Sequence, residues 1–245
     1  MIKNQNIVCL STHYWHEPWF RKQHFMSRFA RNNNRILYVE PTFSMFRKPH
    51  KDAAKNMFLL SKLERLDENI FIIKLPRALP KWTKPTISKL NYCWFVNIIN
   101  KIIKKFKIDD YILWIYRPEY YQVLKYFNYS KLVFGLSDDL AAYNESKGKI
   151  YYWKYKCIEG LIKKSDLCIF SAKHLLEKYG HIAKDKIFYV PNGYDSKLFD
   201  SSNNSICPEE LRKFKRPIIG FVGVLFGFLD YNLIDYIADS NENWS

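Results

Sequence analysis

Seven short apolar runs punctuate the first 190 residues, each separated from the next by far more chain than a hairpin needs. They are Asn6 to Ser11, Arg35 to Glu40, Ile70 to Leu75, Tyr111 to Tyr116, Lys131 to Leu136, Asp166 to Ser171 and Ile187 to Val190. Their apolar residues are consecutive rather than alternating, as in strands covered on both faces. Helical patterns fill several of the intervals. Strand, helix and strand in that order give parallel neighbours joined by right-handed crossovers. The expected fold class is therefore α/β, a doubly wound parallel sheet.

Pro18 suits the first turn of a helix, where its missing N–H is not needed. That helix is predicted to reach about Arg31, with Phe20, His24, Met26, Phe29 and Ala30 packing inward. Thr86 to Lys107 carries Ile87, Leu90, Trp94, Ile98, Ile102 and Phe106 at helical spacing. Ile150 to Lys164 and a short segment ending near Tyr179 complete the helices of the first region. Thr42 to Arg65 reads as a basic loop or a broken helix. Asp200 to Pro208 is polar. A new apolar run, Arg216 to Val222, and a helix from Leu229 to Ala238 follow it. The expected organisation is a domain over 1–199, a linker over 200–215, and the first strand and helix of a second, truncated domain over 216–245.

The chain has 245 residues and a formal net charge of +15, from 39 basic and 24 acidic side chains. Such a charge favours anionic partners. Nucleic acid is not the expected one, because the charge is spread along the chain and no helix-turn-helix, RNP or zinc pattern accompanies it. Five cysteines without a C-x-x-C pair argue against a disulfide framework and fit a reducing, cytoplasmic compartment. No apolar run approaches a membrane span. Thr42 to Arg65 mixes Phe43, Met45, Phe46, Met57, Phe58, Leu59 and Leu60 with six basic residues. Peripheral contact with an anionic membrane at the inner face of the plasma membrane and a solvated loop both fit that composition.

Ligands of open α/β sheets bind beyond the carboxyl ends of the strands. That rule selects His13, Tyr14, Trp15 and His16; Glu40; Arg117 and Glu119; and Asp138 and Asp139. Aromatic and ionisable side chains gathered there suit a sugar, stacked on a ring and hydrogen-bonded at its edge. The histidines also fit ordinary loop positions, and no third ligand at metal spacing supports a metal. Asp138 and Asp139 fit helix capping as well as substrate contact.

Several stretches resemble a known family. KIFYVPNGYDSKLF, residues 186–199, resembles the VPNG-x-D-x-x-x-F phrase that closes the N-terminal domain of family 4 glycosyltransferases, which have the GT-B fold. WFRKQHFMSRFARNNNRILYVEP looks like a block of a bacterial, teichuronic-acid-type branch of that family. The matching residues are Trp19, Arg21, His24, Ala30, Leu37, Tyr38, Val39, Glu40 and Pro41. FGLSDD resembles a paired-Asp segment, at Asp138 and Asp139. RPIIGFVGVLFGFLD resembles the opening of the second domain, with Gly220, Gly223 and Asp230.

The resemblance implies a Rossmann-like GT-B N-terminal domain. It further implies a retaining hexose transfer from a nucleotide sugar to a lipid-linked or polysaccharide acceptor in cell-surface glycan synthesis. No cofactor is implied beyond the nucleotide-sugar co-substrate. It assigns Tyr116 and Asp138 to the reaction centre. The strand-end rule places His13, Trp15, Arg117 and Glu119 at the substrate; the resemblance supports Glu40 and Asp139 there, adds Trp19, Arg21, Asn192 and Gly193, and puts Gly220 and Gly223 at the donor diphosphate. The chain departs from the family where many members carry His-x-His-x-Pro, since Trp114, Tyr116 and Pro118 stand there. A phenol with its ordinary pKa is a poor base at neutral pH. The family's donor grip, an Arg–Lys pair and Glu-x7-Glu, has no counterpart after Arg216. Turnover by this chain alone is therefore not expected, and a catalytically incomplete module that binds acceptor or partner is the alternative.

Overall fold

The computed structural model describes residues 2–42, 60–80, 84–142, 148–194, 196, 199, 208–214, 217–223 and 229–240. Two compact units divide between Gly193 and Tyr194. The first holds an eight-stranded sheet: β1 (Asn6–Leu10), β2 (Arg35–Val39), β3 (Lys62–Arg65), β4 (Ile70–Lys74), β5 (Ile112–Ile115), β6 (Lys131–Leu136), β7 (Leu167–Phe170) and β8 (Ile187–Tyr189). The order across the sheet is β3-β4-β2-β1-β5-β6-β7-β8. Every pairing is parallel except β3 with β4. Strand order reverses between β1 and β5, the switch point where a doubly wound sheet leaves a crevice. This is the Rossmann-like α/β fold.

Both faces are dry, which explains the unbroken apolar runs. Val8, Leu10, Leu37, Val39, Leu113, Ile115 and Phe134 pack in one layer with α2 (Pro85–Lys105), the 3-10 helix Pro118–Tyr126, α3 (Lys149–Lys164) and α4 (Lys173–Tyr179). Ile7, Cys9, Ile36, Tyr38, Ile112, Trp114 and Tyr116 pack on the other with α1 (Arg21–Ala30). Each fully buried aliphatic or aromatic side chain contributes about 1.5–3 kcal/mol. The Asn run after α1 stops that helix. Asn33 takes a left-handed φ of 60°. Buried Asn34 accepts from Gln5 N and donates to the carbonyls of Ile2 and Phe29.

The first unit differs from the sequence expectation in several places, one of them Phe20, which is exposed rather than packed inward. Helix α1 begins at Arg21, not Pro18, because the preceding residues form a loop tied to the strand ends and Phe20 is still extended. In α2 the buried stripe is Ser88, Asn91, Tyr92, Phe95, Val96, Ile99 and Ile103, while Leu90 and Trp94 are exposed. That helix has two overlapping apolar stripes, and the hydrogen bond from Leu79 N to Asn91 Oδ1 helps fix which one faces the sheet. Lys62 to Arg65 is an edge strand rather than a loop or a broken helix. Its polar sequence is held by pairing with β4 and by Glu64, which binds Lys74 at 2.6 Å and His16 at 3.1 Å. Strand β8 is not buried: Phe188 and Tyr189 are exposed, because it is the last strand of the sheet.

In the second unit α5 spans Glu209–Arg212 and α6 spans Tyr231–Asp239, capped by Asp230 Oδ1 accepting from Leu233 N at 3.0 Å. Residues 217–223 run irregularly and form no strand. A strand needs a ladder partner, and the described residues of this unit offer none. Residues 43–59, the greater part of the basic segment considered for membrane contact, lie outside the described residues. Among the described residues no helix is long and apolar enough to cross a membrane.

Candidate functional site

Two clusters of polar side chains stand at the carboxyl ends of the central strands, one on each face of the sheet. The first surrounds a small cavity lined by Ser11, Glu40, Pro41, Thr42, Leu75, Tyr92, Phe95, Arg117 and Tyr120. Ser11 follows β1, Glu40 follows β2 and Arg117 follows β5, so the cavity opens at the switch point itself. Glu40 is buried, and its Oε1 accepts from Trp15 N at 2.8 Å. Burial pushes its carboxyl above the usual range, against the hydrogen bond from Trp15 and the charges of Lys74 and His16. Ser11 Oγ lies 2.6 Å from Tyr38 Oη, and both hydroxyls reach the carbonyl of His13, at 3.1 and 3.0 Å. These bonds pin the loop after β1 in place.

Arg117 lies 3.9 Å from Glu119, whose other oxygen is 3.4 Å from Lys154. Burial works against the Glu119 charge, but Arg117 and Lys154 outweigh it and hold the carboxyl below its ordinary range. Burial likewise opposes the Arg117 charge, and Tyr92 and Glu119 overcome it. The rings of Tyr92 and Tyr120 meet edge to face at 4.5 Å. The recess has room for little more than one water molecule, so Glu40 and Arg117 can meet a polar group at its mouth, backed by the aromatic walls, rather than enclose a ligand.

The second cluster lies over the α1 face. Tyr116 is buried there, and burial lifts its phenol well above the ordinary value, so it remains protonated and serves as a hydrogen-bonding group rather than a base. Both terminal nitrogens of Arg21 are buried without a hydrogen-bond partner, and the Trp114 indole N–H faces buried Tyr116 Oη without a close bond. Such an unmet group costs about 1–3 kcal/mol, more when charged. Buried Lys22 places its ammonium 5.2 Å from the Tyr116 ring centroid. His13 stacks against Phe20 at 4.1 Å, and burial together with Lys22 lowers its pKa to about 4, so its imidazole is neutral at pH 7.

The remaining expected residues separate. Trp15 is buried against Tyr38 and Trp19, so its ring anchors the loop rather than offering a face to solvent. Trp19 is half-exposed. Asp138 is exposed, and its charge is felt by Lys22. Asp139 is built into the fold: it binds Lys178 Nζ at 2.6 Å and accepts from Tyr179 Oη at 3.1 Å and Ala142 N at 3.3 Å. Asn192 and Gly193 follow β8, four strands from β1 and on the order of 19 Å across the sheet. Gly220 and Gly223 belong to the second unit.

Sequence reasoning missed Ser11, Thr42, Tyr92 and Tyr120 as cavity walls, and Lys22. Only Lys22 carried a signal, as a second cation beside Arg21 at the start of a helix without an acid in its first turn.

Asp139→Asn is expected to cost about 1.5–3 kcal/mol at pH 7, the range for a charge-assisted bond. Burial opposes the Asp139 charge, but the bonds from Lys178, Ala142 and Tyr179 depress its pKa. Its stabilisation is therefore present above the unfolded carboxylate pKa and lost as pH falls through the lower folded value. Urea unfolding at pH 7 and pH 3 should show the wild-type advantage shrinking in acid. An equal advantage at both pH values would rule the pairing out as its source.

No family model matches the sequence, and no curated protein matches it. Among solved structures, sucrose-phosphate synthase from Thermosynechococcus elongatus is similar with a TM-score of 0.55 and 10% identity, over 79% of this chain and 49% of that one. The apo structure of OtsA is similar with a TM-score of 0.51 and 10% identity, over 85% of this chain and 54% of that one. The chain thus spans about half the length of each. At this identity the likeness establishes the Rossmann-like α/β fold.

Proposed function

We propose that this chain is the acceptor-side α/β domain of a glycosyltransferase that uses a nucleotide sugar. The observation that carries the reading is the small cavity at the switch point, where buried Glu40 and partly buried Arg117 stand before the packed rings of Tyr92 and Tyr120. In this reading Glu40 accepts a hydrogen bond from an acceptor hydroxyl at the cavity mouth, Arg117 donates to another oxygen, and the two tyrosines hold these groups in place from behind. Asp138, exposed beyond β6, is assigned to the reaction centre by the sequence resemblance. Asn192 and Gly193 are assigned to substrate, and Gly220 and Gly223 to the donor, by the sequence resemblance alone. The hexose donor, the retaining outcome and a lipid-linked or polysaccharide acceptor of cell-surface glycan synthesis rest on the same resemblance. One of the two structures that share the fold is a synthase named for sucrose phosphate, which agrees with sugar chemistry.

The test is a binding panel of free glycans, lipid-linked saccharides and random oligonucleotides. Saturable glycan or lipid-linked saccharide binding is expected. Tight, salt-sensitive oligonucleotide binding with no saccharide binding would overturn the proposal.

A further inference from the structure

The first turn of α1 gathers donors and positive charge, and among the described residues the carboxylate that acts on it is exposed Asp138, beyond salt-bridge distance of Lys22. Arg21 and Lys22 are its first two residues, and no acid stands in that turn. Cations at a helix N-terminus oppose the macrodipole, which favours an anion there. The guanidinium lies over the Phe25 ring at 5.0 Å, which occupies its face but none of its in-plane N–H groups. Its two terminal nitrogens are buried without a partner, and the Trp114 indole N–H faces buried Tyr116 Oη, which leaves the phenol hydrogen unclaimed. Tyr116 is a side chain only 3% exposed. Its ring lies so close to Gly135 that a Cβ there would sit 2.3 Å from Tyr116 Cε1, so glycine permits this placement of the phenol. Lys22 makes a cation–π contact with the same ring and, among the described residues, no ion pair within salt-bridge distance.

We infer that Arg21, Lys22 and Tyr116 form an oxyanion site that takes a phosphate-class group. Arg21 presents a planar fork suited to two parallel bonds, Tyr116 adds a donor oriented by Trp114, and two cations match a dianion. The two positive charges favour a dianion over a singly charged carboxylate. The site lies on the α1 face, opposite the Glu40 cavity, and stands whether or not the glycosyltransferase reading holds.

Thermal unfolding of the whole chain in inorganic phosphate, against chloride at equal ionic strength, tests it. Tm is expected to rise with phosphate concentration, as mass action requires of a ligand bound by the folded state. Arg21→Gln is expected to weaken phosphate at least tenfold, and to melt above wild type without phosphate because an unpaired buried cation is gone. Arg21→Lys keeps the charge without the fork and falls between the two. Tyr116→Phe removes one donor, keeps the ring, and weakens phosphate about threefold, which preserves the test if Arg21 variants fold poorly. Hexose phosphate and a nucleoside diphosphate are the remaining arms. A stronger response to either names the molecule that carries the group, and equal responses name free phosphate. No response to any of the three, or a response unchanged in Arg21→Gln and Tyr116→Phe, overturns the site. Phosphate should still raise Tm in Glu40→Gln, which separates this inference from the proposed function.

Discussion

Glu40→Gln is expected to lower acceptor affinity by roughly 10- to 100-fold while leaving the protein as stable as wild type or more so. A hydrogen bond to a charged group is worth about 1.5–3 kcal/mol, and the amide supplies only a neutral one. The same amide oxygen can still accept from Trp15 N, so the loop after β1 keeps its anchor. Stability moves the other way because burial disfavours the Glu40 carboxylate. Its folded pKa is raised, so folding takes up a proton, and this contribution falls as pH rises from the unfolded value through the folded one. At pH 4 the neutral glutamic acid and the amide are nearly equivalent. At pH 7 only the wild type buries a charge. The Tm difference between variant and wild type should therefore widen from pH 4 to pH 7. Equal affinity in the two proteins would remove Glu40 from the site.

Gly135→Ala is expected to cost about 3 kcal/mol, roughly 10 °C in Tm for a unit of this size. The new Cβ would stand 2.3 Å from Tyr116 Cε1 and 2.7 Å from Cδ1. That ring cannot move away, because it is buried, stacked near Trp114 at 6.3 Å and roofed by Lys22. Gly160 provides the control. A Cβ there would also meet a ring at 2.3 Å, but the ring belongs to half-buried Tyr121, which can turn outward. Alanine also improves helix propensity within α3 by about 1 kcal/mol. Gly160→Ala should therefore be near neutral. Equal losses at the two glycines, measured by denaturant unfolding, would refute the difference in ring freedom.

The central strands were legible because both of their faces are buried. β1, β2, β5, β6 and β7 each lie in an unbroken apolar run, and the structure places their ends within a residue or two of it. Legibility failed at the margins, where neighbours rather than residues decide. Ile187 to Val190 reads like a core strand, yet it pairs on one side only. Lys62 to Arg65 reads like a loop, yet it finds β4. In α2 the stripe through Leu90 and Trp94 and the stripe through Tyr92 and Phe95 are equally periodic, and only packing chose between them.

The site followed the same division. Glu40 and Arg117 could be placed beside the candidate cavity because strand ends can be counted along the chain. Tyr92 and Tyr120 were not, since they reach the cavity from the α2 side and from a 3-10 helix whose position depends on the folded layer. The unpartnered donors around Arg21 were invisible in the same way: a missing hydrogen bond is a property of space, not of sequence.

The most direct test of the central claim is backbone amide chemical-shift mapping of the chain while an acceptor saccharide is titrated in. The account predicts the largest shifts at Ser11, Thr42 and Arg117, around the cavity between the ends of β1, β2 and β5, and their loss in Glu40→Gln. Saturable binding with shifts confined to Asn192, Gly193 or the second unit, and unchanged in Glu40→Gln, would contradict it.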